Sequence, residues 1–436
     1  MENIKETVEM NLDLNDIKYV DLALQLSDYE DKDLQRICNS LDDDSLAKVL
    51  EESEVKIQKK LIGFLSNERA INVFSYMQKD DIVDILGELN TGRRKELFKA
   101  MKKGDIDEIS ALLGYKDDSA GGIMTTEFIA LYKRLTISQA IKVIKEITPK
   151  TEYIDTIYVM NNNKKIVGTA DLRNILVADE NSTIEDITNT NFLYVEPETD
   201  QEEVAKIVSK YDLNAIPVLN SRKMMLGIIT VDDIVDVLVE EQTEDILRMG
   251  GVDKEETLDS TLFQSIRMRL PWLLINLVTA FLAALTVKAF ESTIAQVVAL
   301  SATMSIVTGM GGNAGTQTVS IIIRNLAMGK VKFKEVGRLL IKELLLGLIN
   351  GAVIGLVTGI IVATIYNNMY LGIIIFLAMI GNLIISGFFG LLIPIILEKL
   401  KVDPALSSSI FLTTATDVLG FFLFLSLASL FLPKLL

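Results

Sequence analysis

Histidine is absent from this 436-residue chain, and cysteine, tryptophan and proline are scarce, at one, one and seven residues. A chain with only Cys38 and no imidazole argues against a dedicated zinc, copper or iron site, because those ions favour nitrogen and sulfur ligands. A single cysteine cannot form an intrachain disulfide. Carboxylates are plentiful instead, at 59 Asp and Glu, and they favour hard cations such as Mg²⁺, Ca²⁺ or Mn²⁺.

Positive charge is also scarce in the first 260 residues, which carry 31 Lys and Arg against 53 Asp and Glu, a net charge of −22. From Thr261 onward the chain is mostly apolar and carries 12 basic and 6 acidic residues, a net charge of +6. Nucleic-acid binding needs basic surface, so this acidic half argues against it. The amino-terminal stretch MENIKETVEMNLDLND is polar and has no signal-peptide core, so we expect the acidic half to remain in the cytosol.

Residues 1–122 are predicted to form an acidic, all-α domain of short repeated helices. Apolar residues recur at helical spacing in segments such as KKLIGFL, RAINVFSYM and DIVDILGEL. Successive units end at steps of about twelve residues or twice that, as in a small helical solenoid, at Leu41, Leu65, Met77, Leu89, Met101 and Leu113. Asp80 and Asp84 fall on one helix face, which is either a cation site or an ordinary solvated surface.

Residues 123–245 contain two α/β halves in which related features recur 59 residues apart. Ile157-Tyr158-Val159 with Gly168 corresponds to Ile216-Pro217-Val218 with Gly227, and each half has the order helix, strand, polar turn, strand, helix. This order resembles a tandem pair of cystathionine-β-synthase (CBS) domains, which are regulatory modules that often bind adenine nucleotides. The resemblance makes ATP or another adenine nucleotide a candidate ligand, whereas the lack of a GxxxxGK[ST] loop argues against ATP hydrolysis.

Acidic residues crowd the segment that follows the second half. In a helix they would form much of one stripe, which contains Asp233, Asp236, Glu240, Glu241, Glu244 and Asp245. Like charges at this spacing destabilise a helix by a few tenths of a kcal/mol per pair. A bound divalent cation would relieve that repulsion, and we favour this interpretation over the alternative, solvation at physiological salt.

The apolar half is predicted to cross a membrane five times as α-helices. The spans are about 271–290, 295–323, 337–366, 371–397 and 406–432, each with the ~20 apolar residues that a crossing needs. With the acidic half in the cytosol, the inner side carries ten Lys and Arg, and the outer side carries only Lys288 and Lys434. By the positive-inside rule the amino terminus is then cytoplasmic and the carboxyl terminus lies outside.

Two polar features interrupt these apolar spans. Asp417 is the only acid of the fifth span, where a carboxylate costs at least ~2.5 kcal/mol. It either serves an ion path or is a structural carboxylate satisfied by helix-end donors or neighbouring threonines. In the second span, four glycines fall between Gly309 and Gly315, and glycine disfavours a helix. We therefore expect opened backbone around Gly312 and Asn313. Together with Thr316 and, from the fifth span, Thr413, these residues would offer polar groups to a hydrated ion.

The assembled order of domains resembles the MgtE family of magnesium channels and transporters over essentially the whole chain. Four segments carry the resemblance: SAGGIMT (119–125), GMGGNAGTQT (309–318), VDPALSS (402–408) and TTATDVLG (413–420). It implies a homodimer with its pore on the two-fold axis, a pore aspartate at Asp417 and a polar motif at 311–317. Thr316 stands where many members have a second asparagine.

The resemblance also implies where regulation takes place. The magnesium-sensing acids of the family match Asp212, Asp233, Asp236, Glu241, Glu244 and Asp245. A connecting helix at about residues 246–268 would act as a gating plug, followed by a transmembrane pore domain over residues 269–436.

These observations predict a magnesium channel or transporter of the cell membrane that is gated by Mg²⁺. It would take up hydrated Mg²⁺ down the electrochemical gradient, since Mg²⁺ gives up its water reluctantly, and cytosolic Mg²⁺ would hold it shut. The alternatives are a transporter for Co²⁺, Mn²⁺ or Ca²⁺ and a non-conducting receptor for ions or nucleotides. An enzyme has the least support, because no nucleophile–base pair or phosphate-binding motif occurs in the sequence.

Overall fold

The computed structural model describes residues 18–148, 151, 153–258, 260–331 and 333–435. It divides after Leu238 into two compact units. The amino-terminal stretch that we examined for a signal peptide lies outside the described residues.

From residue 18, where the described chain begins, the first unit has eight short helices, each packed against the next but one. The ends of these helices largely bear out the predicted repeat: Leu41, Leu65, Leu89, Met101 and Leu113 each follow directly on a helix, whereas Met77 lies three residues after the end of its helix. Side-chain oxygens of Asp42, Ser66 and Asn90 accept backbone N–H bonds that start three of them. The helices are α1 (Tyr19–Leu26), α2 (Asp31–Ser40), α3 (Asp43–Glu51), α4 (Val55–Phe64), α5 (Asn67–Phe74), α6 (Lys79–Glu88), α7 (Thr91–Ala100) and α8 (Lys103–Leu112).

Two α/β halves follow, and their strand registers confirm the internal repeat. In the first half Val159 pairs with Gly168, and in the second Val218 pairs with Gly227, with an irregularity one residue later in both hairpins. The first half contains β1 (Ala130–Tyr132), α9 (Ile137–Ile147), β2 (Thr156–Met160), β3 (Ile166–Asp171) and α10 (Leu172–Val177). The second contains α11 (Gln201–Tyr211), β4 (Ala215–Leu219), β5 (Met225–Thr230) and the start of α12 (Val231–Met249).

Glycine is required at both paired positions because other chain segments approach the backbone there. A Cβ at Gly227 would lie 2.5 Å from the carbonyl oxygen of Thr125. Thr125, the last residue of SAGGIMT, exchanges backbone hydrogen bonds with Ile228 of β5 at 2.8 and 2.9 Å. The motif therefore joins the helical domain to the second α/β half, and the two share one hydrophobic core.

The single connecting helix predicted over residues 246–268 is wrong. Residues 246–249 are the last turn of α12, and the next helix begins only at Leu262. Gly251 has φ +72°, and the N–H of Val252 donates to the carbonyl of Leu247 at 3.0 Å. Left-handed glycine with this bond is a standard helix stop, and the sequence prediction overlooked the Gly250-Gly251 pair.

Within the part of the second unit that the structure describes, there are five long α-helices and two short ones. They are α13 (Leu262–Ala289), α14 (Glu291–Gln296), α15 (Ala299–Ala327), α16 (Val336–Ile365), α17 (Met369–Lys399), α18 (Pro404–Leu430) and α19 (Leu432–Leu435). Among the described residues, four helices are long and apolar enough to cross a membrane: α13, α16, α17 and the part of α18 from Ser408 onward. The remaining long helix, α15, is ~43 Å long, but its glycines, serines and threonines lower its hydropathy. The chain thus has a helical membrane region with four such helices rather than clearly five.

The predicted opening of the backbone around Gly312 and Asn313 is also wrong, because α15 is helical throughout residues 299–327. Two of its glycines allow close helix packing: a Cβ at Gly315 would lie 2.6 Å from the side chain of Leu412. At membrane depth a broken helix would leave backbone groups unsatisfied, and this cost exceeds the weak intrinsic preference of glycine against helix. Four glycines of α16 serve the same purpose against α17, at residues 347, 351, 355 and 359.

Candidate functional site

The polar motif of α15 and the acid of α18 lie at the same height in the second unit. The two helices contact each other, and the side chain of Asn382 on α17 touches both Gly311 and Gly420, while Gly315 touches Leu412. The helices are therefore antiparallel in this region, and residues 311–315 of α15 lie alongside residues 412–420 of α18. Asn313, midway in its segment, lies alongside residue 416, next to Asp417.

The polar side chains at this height are left uncovered by the chain itself. Asn313, Thr316 and Thr413 are exposed and Asp417 is half-buried. The hydroxyl of Thr316 donates to the carbonyl of Gly312 at 3.0 Å, and that of Thr413 donates to the carbonyl of Ser409 at 2.9 Å. Because both protons are bonded internally, the hydroxyl oxygens are free to accept hydrogen bonds from the water shell of an ion.

A second membrane-segment acid, Glu343, was missed by the sequence analysis. It lies in the first third of α16, where the Oγ1 of Thr318 on α15 donates to its Oε2 at 3.0 Å. Its carbonyl oxygen would lie 2.8 Å from a Cβ at Gly387 of α17. The signal was available, since an acid inside an apolar helix is a functional candidate by default, but Lys342 beside it made the position resemble the end of a span.

In the first unit the structure brings together acids that are 153 residues apart in the chain. Asp80 of α6 lies close to Asp233 of α12, and burial together with Asp233 raises the pKa of Asp80 to about 7. Burial, followed by Asp80 and other acids, raises the pKa of Asp81 to about 9. The Oδ1 of Asp80 is buried and has no hydrogen-bond partner among the described residues. This cluster (Glu51, Asp80, Asp81, Asp84 and Asp233) therefore holds unfavourable negative charge.

The other predicted sensor acids of the first unit are exposed, apart from Asp233. Asp233 accepts hydrogen bonds from the N–H and hydroxyl of Thr230 at the start of α12, and burial raises its pKa. Asp84 and Asp236 are exposed. Asp212 is exposed and ends α11 in the left-handed conformation, with φ 50°, so it has a backbone role that the sequence did not indicate.

In the second unit, the end of α12 is bonded to the start of α18. Arg248 forms ion pairs with Glu244, one turn earlier, and with Asp403, which also accepts the N–H of Ala405 at 2.7 Å to start α18. Glu244 is buried, with 7% of its surface exposed, and Lys254 lies 3.4 Å from it. Glu241 and Asp245 are half-buried on the same helix. Arg248 and Asp403 were not among the predicted site residues.

The acids do not form a ready metal site. Within the described residues, no three Asp, Glu or Cys side chains are placed to hold one metal ion. Mg²⁺ is usually held by one or two carboxylates and several retained waters. Two neighbouring carboxylates such as Asp80 and Asp233 suit that binding mode, whereas a fully dehydrated ion would need more ligands than they offer.

A family model described as a divalent cation transporter, MgtE, matches residues 304–427, and models of the MgtE intracellular N domain and of CBS domains match residues 17–118, 120–181 and 184–240. The magnesium transporter MgtE of Bacillus subtilis is 30% identical over 422 residues, which cover 97% of this chain and 94% of the relative. This chain belongs to the MgtE family.

Other similar proteins are also magnesium transporters or channels. The magnesium transporter MgtE of Enterococcus faecalis is 35% identical over 325 residues, covering 74% of this chain and 72% of the relative. Among solved structures, the soluble part of a magnesium transporter covers 55% of this chain and 97% of its own length, with 30% identity and a TM-score of 0.51. The cytosolic domain of the Mg²⁺ channel MgtE in complex with ATP covers 54% of this chain and 97% of its own length, with 28% identity and a TM-score of 0.52.

Proposed function

We propose that this protein is a magnesium channel or transporter that takes up Mg²⁺ across the cell membrane and is closed by Mg²⁺ in the cytosol. The observation that carries the proposal is the uncovered polar face at the height of Asp417, in the membrane region of an MgtE-family chain. A half-buried carboxylate among apolar helices is costly, and facing a cation path compensates for that cost.

Selection would act on the hydrated ion. The Asp417 carboxylate supplies charge, and Asn313, Thr316 and Thr413 offer oxygen atoms to the ion's waters. Since α15 is an unbroken helix and the Thr316 hydroxyl also donates to the carbonyl of Gly312, both lone pairs of that carbonyl are occupied, and we do not assign it to the ion's water shell. The membrane potential drives entry, at ~2.3 kcal/mol per charge per 100 mV.

A single chain leaves this polar face open, so we propose a homodimer in which a second copy closes the path. Two Asp417 carboxylates would then face one path, and rings of acids select cations. In this arrangement α15 would also cross the membrane, as the second of five spans in chain order. The basic loops place the amino terminus in the cytoplasm and the carboxyl terminus outside.

Cytosolic Mg²⁺ would act on the acids of the soluble part. A dication beside Asp80 and Asp233 would offset the burial and the repulsion from neighbouring acids that raise their pKa values. Asp84, Asp212, Asp236, Glu241, Glu244 and Asp245 would complete the sensor. Binding that favours one conformation shifts the population towards it, and the bonded end of α12 would transmit this to α18 through Arg248 and Asp403.

An adenine nucleotide is a further proposed ligand of the CBS pair. The support is the likeness to the ATP-bound cytosolic domain of a Mg²⁺ channel and the order of the two α/β halves. Equilibrium dialysis of the purified protein with ATP, ADP and AMP tests this, and retention of none of them would contradict it.

The deciding experiment is uptake into liposomes that contain the purified chain, wild type beside Asp417→Ala, with and without Mg²⁺ on the side of the soluble part. We expect the variant to lose uptake and the wild type to be suppressed by that Mg²⁺. Uptake of Co²⁺, Mn²⁺ or Ca²⁺ at the same rate would favour a general divalent-cation transporter, the description that the matching family model carries. No uptake of any ion would favour the receptor.

A further inference from the structure

Asn382 is a polar residue inside an almost wholly apolar helix. It lies midway along α17, with none of its surface exposed. Its Nδ2 donates to the carbonyl of Val307 on α15 at 2.8 Å. One turn later, the Oγ of Ser386 donates to the carbonyl of Gly311 at 2.7 Å. Two donors one turn apart thus meet two acceptors one turn apart, which fixes the axial register of α15 against α17.

The same side chain also separates α15 from α18. A Cβ at Gly311 would lie 2.1 Å from the Nδ2 of Asn382, and a Cβ at Gly420 would lie 2.8 Å from its Oδ1. The amide is therefore enclosed between two glycines on two different helices. Any larger residue at either glycine would have to displace Asn382 or push the helices apart.

The amide is kept at a cost. Its Oδ1 is buried and has no hydrogen-bond partner among the described residues, and an unsatisfied acceptor in an apolar interior is unfavourable. Leucine, of similar size, would fill the space without that cost. The interaction that leucine could not replace is the bond from Nδ2 to Val307, which points to helix placement as the role of Asn382.

The helices that Asn382 places are those that carry the proposed ion path. Gly311 is two residues before Asn313, and Gly420 is three residues after Asp417. A shift of either helix at this height would change the distance between the polar side chains and the carboxylate. We propose that Asn382 is a positioning residue: without touching the ion, it sets the spacing and register of α15 and α18 at the height of Asp417.

This inference rests on the proposed function, and its first test measures position rather than transport. Nitroxide labels at Ser320→Cys and Ser409→Cys report the distance between α15 and α18, and Cys38 is fully buried, so it should not react. Co-expression with excess unlabelled chain limits the measurement to distances within one chain. We expect Asn382→Leu to shift or broaden the distance distribution. An unchanged distribution in folded protein would overturn the inference, whatever the protein transports.

The second test uses steric coupling in the liposome uptake experiment. Gly311→Ala should reduce Mg²⁺ uptake roughly 3- to 15-fold, the range that one interhelical polar contact contributes. In an Asn382→Ala background, which vacates the space, the same change should have almost no further effect. Gly309→Ala is the matched control, because a Cβ at Gly309 meets nothing within 4 Å, and it should be neutral in both backgrounds.

A selectivity readout separates positioning from a loss of folded protein. Asn382→Leu should lower the ratio of Mg²⁺ to Ca²⁺ uptake per folded molecule, because the polar groups around the ion are displaced. An equal effect of Gly311→Ala in both backgrounds, with an unchanged uptake ratio, would show that Asn382 is not coupled to Gly311 or to the ion path, which would overturn the inference. Wild-type protein that conducts no ion would instead refute the proposed function, while the distance measurement would still decide the role of Asn382.

Discussion

Asp417 and Asp81 are both acids, yet the chain surrounds them in opposite ways. Asp417 lies at the height of hydroxyl and amide groups, with no other acid in its span. Asp81 lies among Glu51, Asp80, Asp84 and Asp233, which together with burial raise its pKa to about 9. An isolated carboxylate has no neighbouring acid that opposes its negative charge, which suits the attraction of a passing ion. A crowded one is destabilised until a proton or a cation arrives, which suits a sensor.

The largest effect is expected when Asp417, the isolated acid, loses its charge. Asp417→Asn removes the charge with little change in shape, and we expect Mg²⁺ uptake into liposomes to fall at least about tenfold, equivalent to ~1.4 kcal/mol. Protection of the soluble part by Mg²⁺ against a protease should remain as in wild type. Loss of that protection would show that the two acidic regions do not act separately.

The crowded site should show itself in the pH dependence of stability. An unfolded aspartate has a pKa near ~3.9, whereas Asp80 and Asp81 have values of about 7 and about 9. Between these limits the folded state binds more protons than the unfolded one, so stability falls as pH rises. In Mg²⁺-free buffer we expect the Tm of the full chain to fall between about pH 5 and pH 9, and added Mg²⁺ to restore it most at pH 9.

Asp81→Asn sharpens that test, because asparagine keeps the shape without the charge. The variant should have a Tm roughly 3 °C or more above wild type at pH 9 without Mg²⁺, and the difference should shrink towards pH 5. Asp107→Asn is a matched control, since Asp107 is exposed on the neighbouring helix α8. A Tm difference that is independent of pH would contradict the pKa argument.

Removal of the ion pair between Arg248 of α12 and Asp403 of α18 should have a smaller effect. Arg248→Gln removes the ion pairs with Glu244 and Asp403. We expect the Mg²⁺ concentration that half-closes the protein to rise roughly two- to fivefold, the range for a partly exposed ion pair. Suppression of liposome uptake measures it. An unchanged half-closing concentration would mean that the signal passes to the membrane region elsewhere.

The smallest effect is expected at Asp212. Its side chain is exposed, and its left-handed backbone conformation is tolerated by asparagine. Asp212→Asn should therefore leave Tm unchanged and alter the half-closing Mg²⁺ concentration by less than about twofold. A larger change would show that Asp212 contributes to Mg²⁺ sensing as Asp233 is proposed to do.

Much of the fold could be predicted from local patterns. Apolar spacing and twelve-residue steps indicated the short helices, and the 59-residue recurrence indicated two hairpins with the same register. Two predictions failed for the same reason, because the effect of glycine on a helix was misjudged. A helix was predicted through Gly250 and Gly251, and an opened backbone was predicted around Gly312. Gly251 stops a helix, whereas Gly311 and Gly315 lie inside one. Glycine lacks a side chain in both settings, and only its neighbours in space decide whether that freedom ends a helix or lets another helix approach.

The sequence by itself determined the acidic soluble part, the apolar membrane part, the internal repeat and the candidate acid Asp417, because composition and periodicity follow directly from the order of residues. Only the tertiary structure brought Asp80 beside Asp233, Arg248 beside Asp403, and Asn382 between Gly311 and Gly420. These pairs are separated by 38 to 155 residues in the chain. Contacts at such separations depend on how whole helices pack, and packing is decided by the shape and burial of many side chains together.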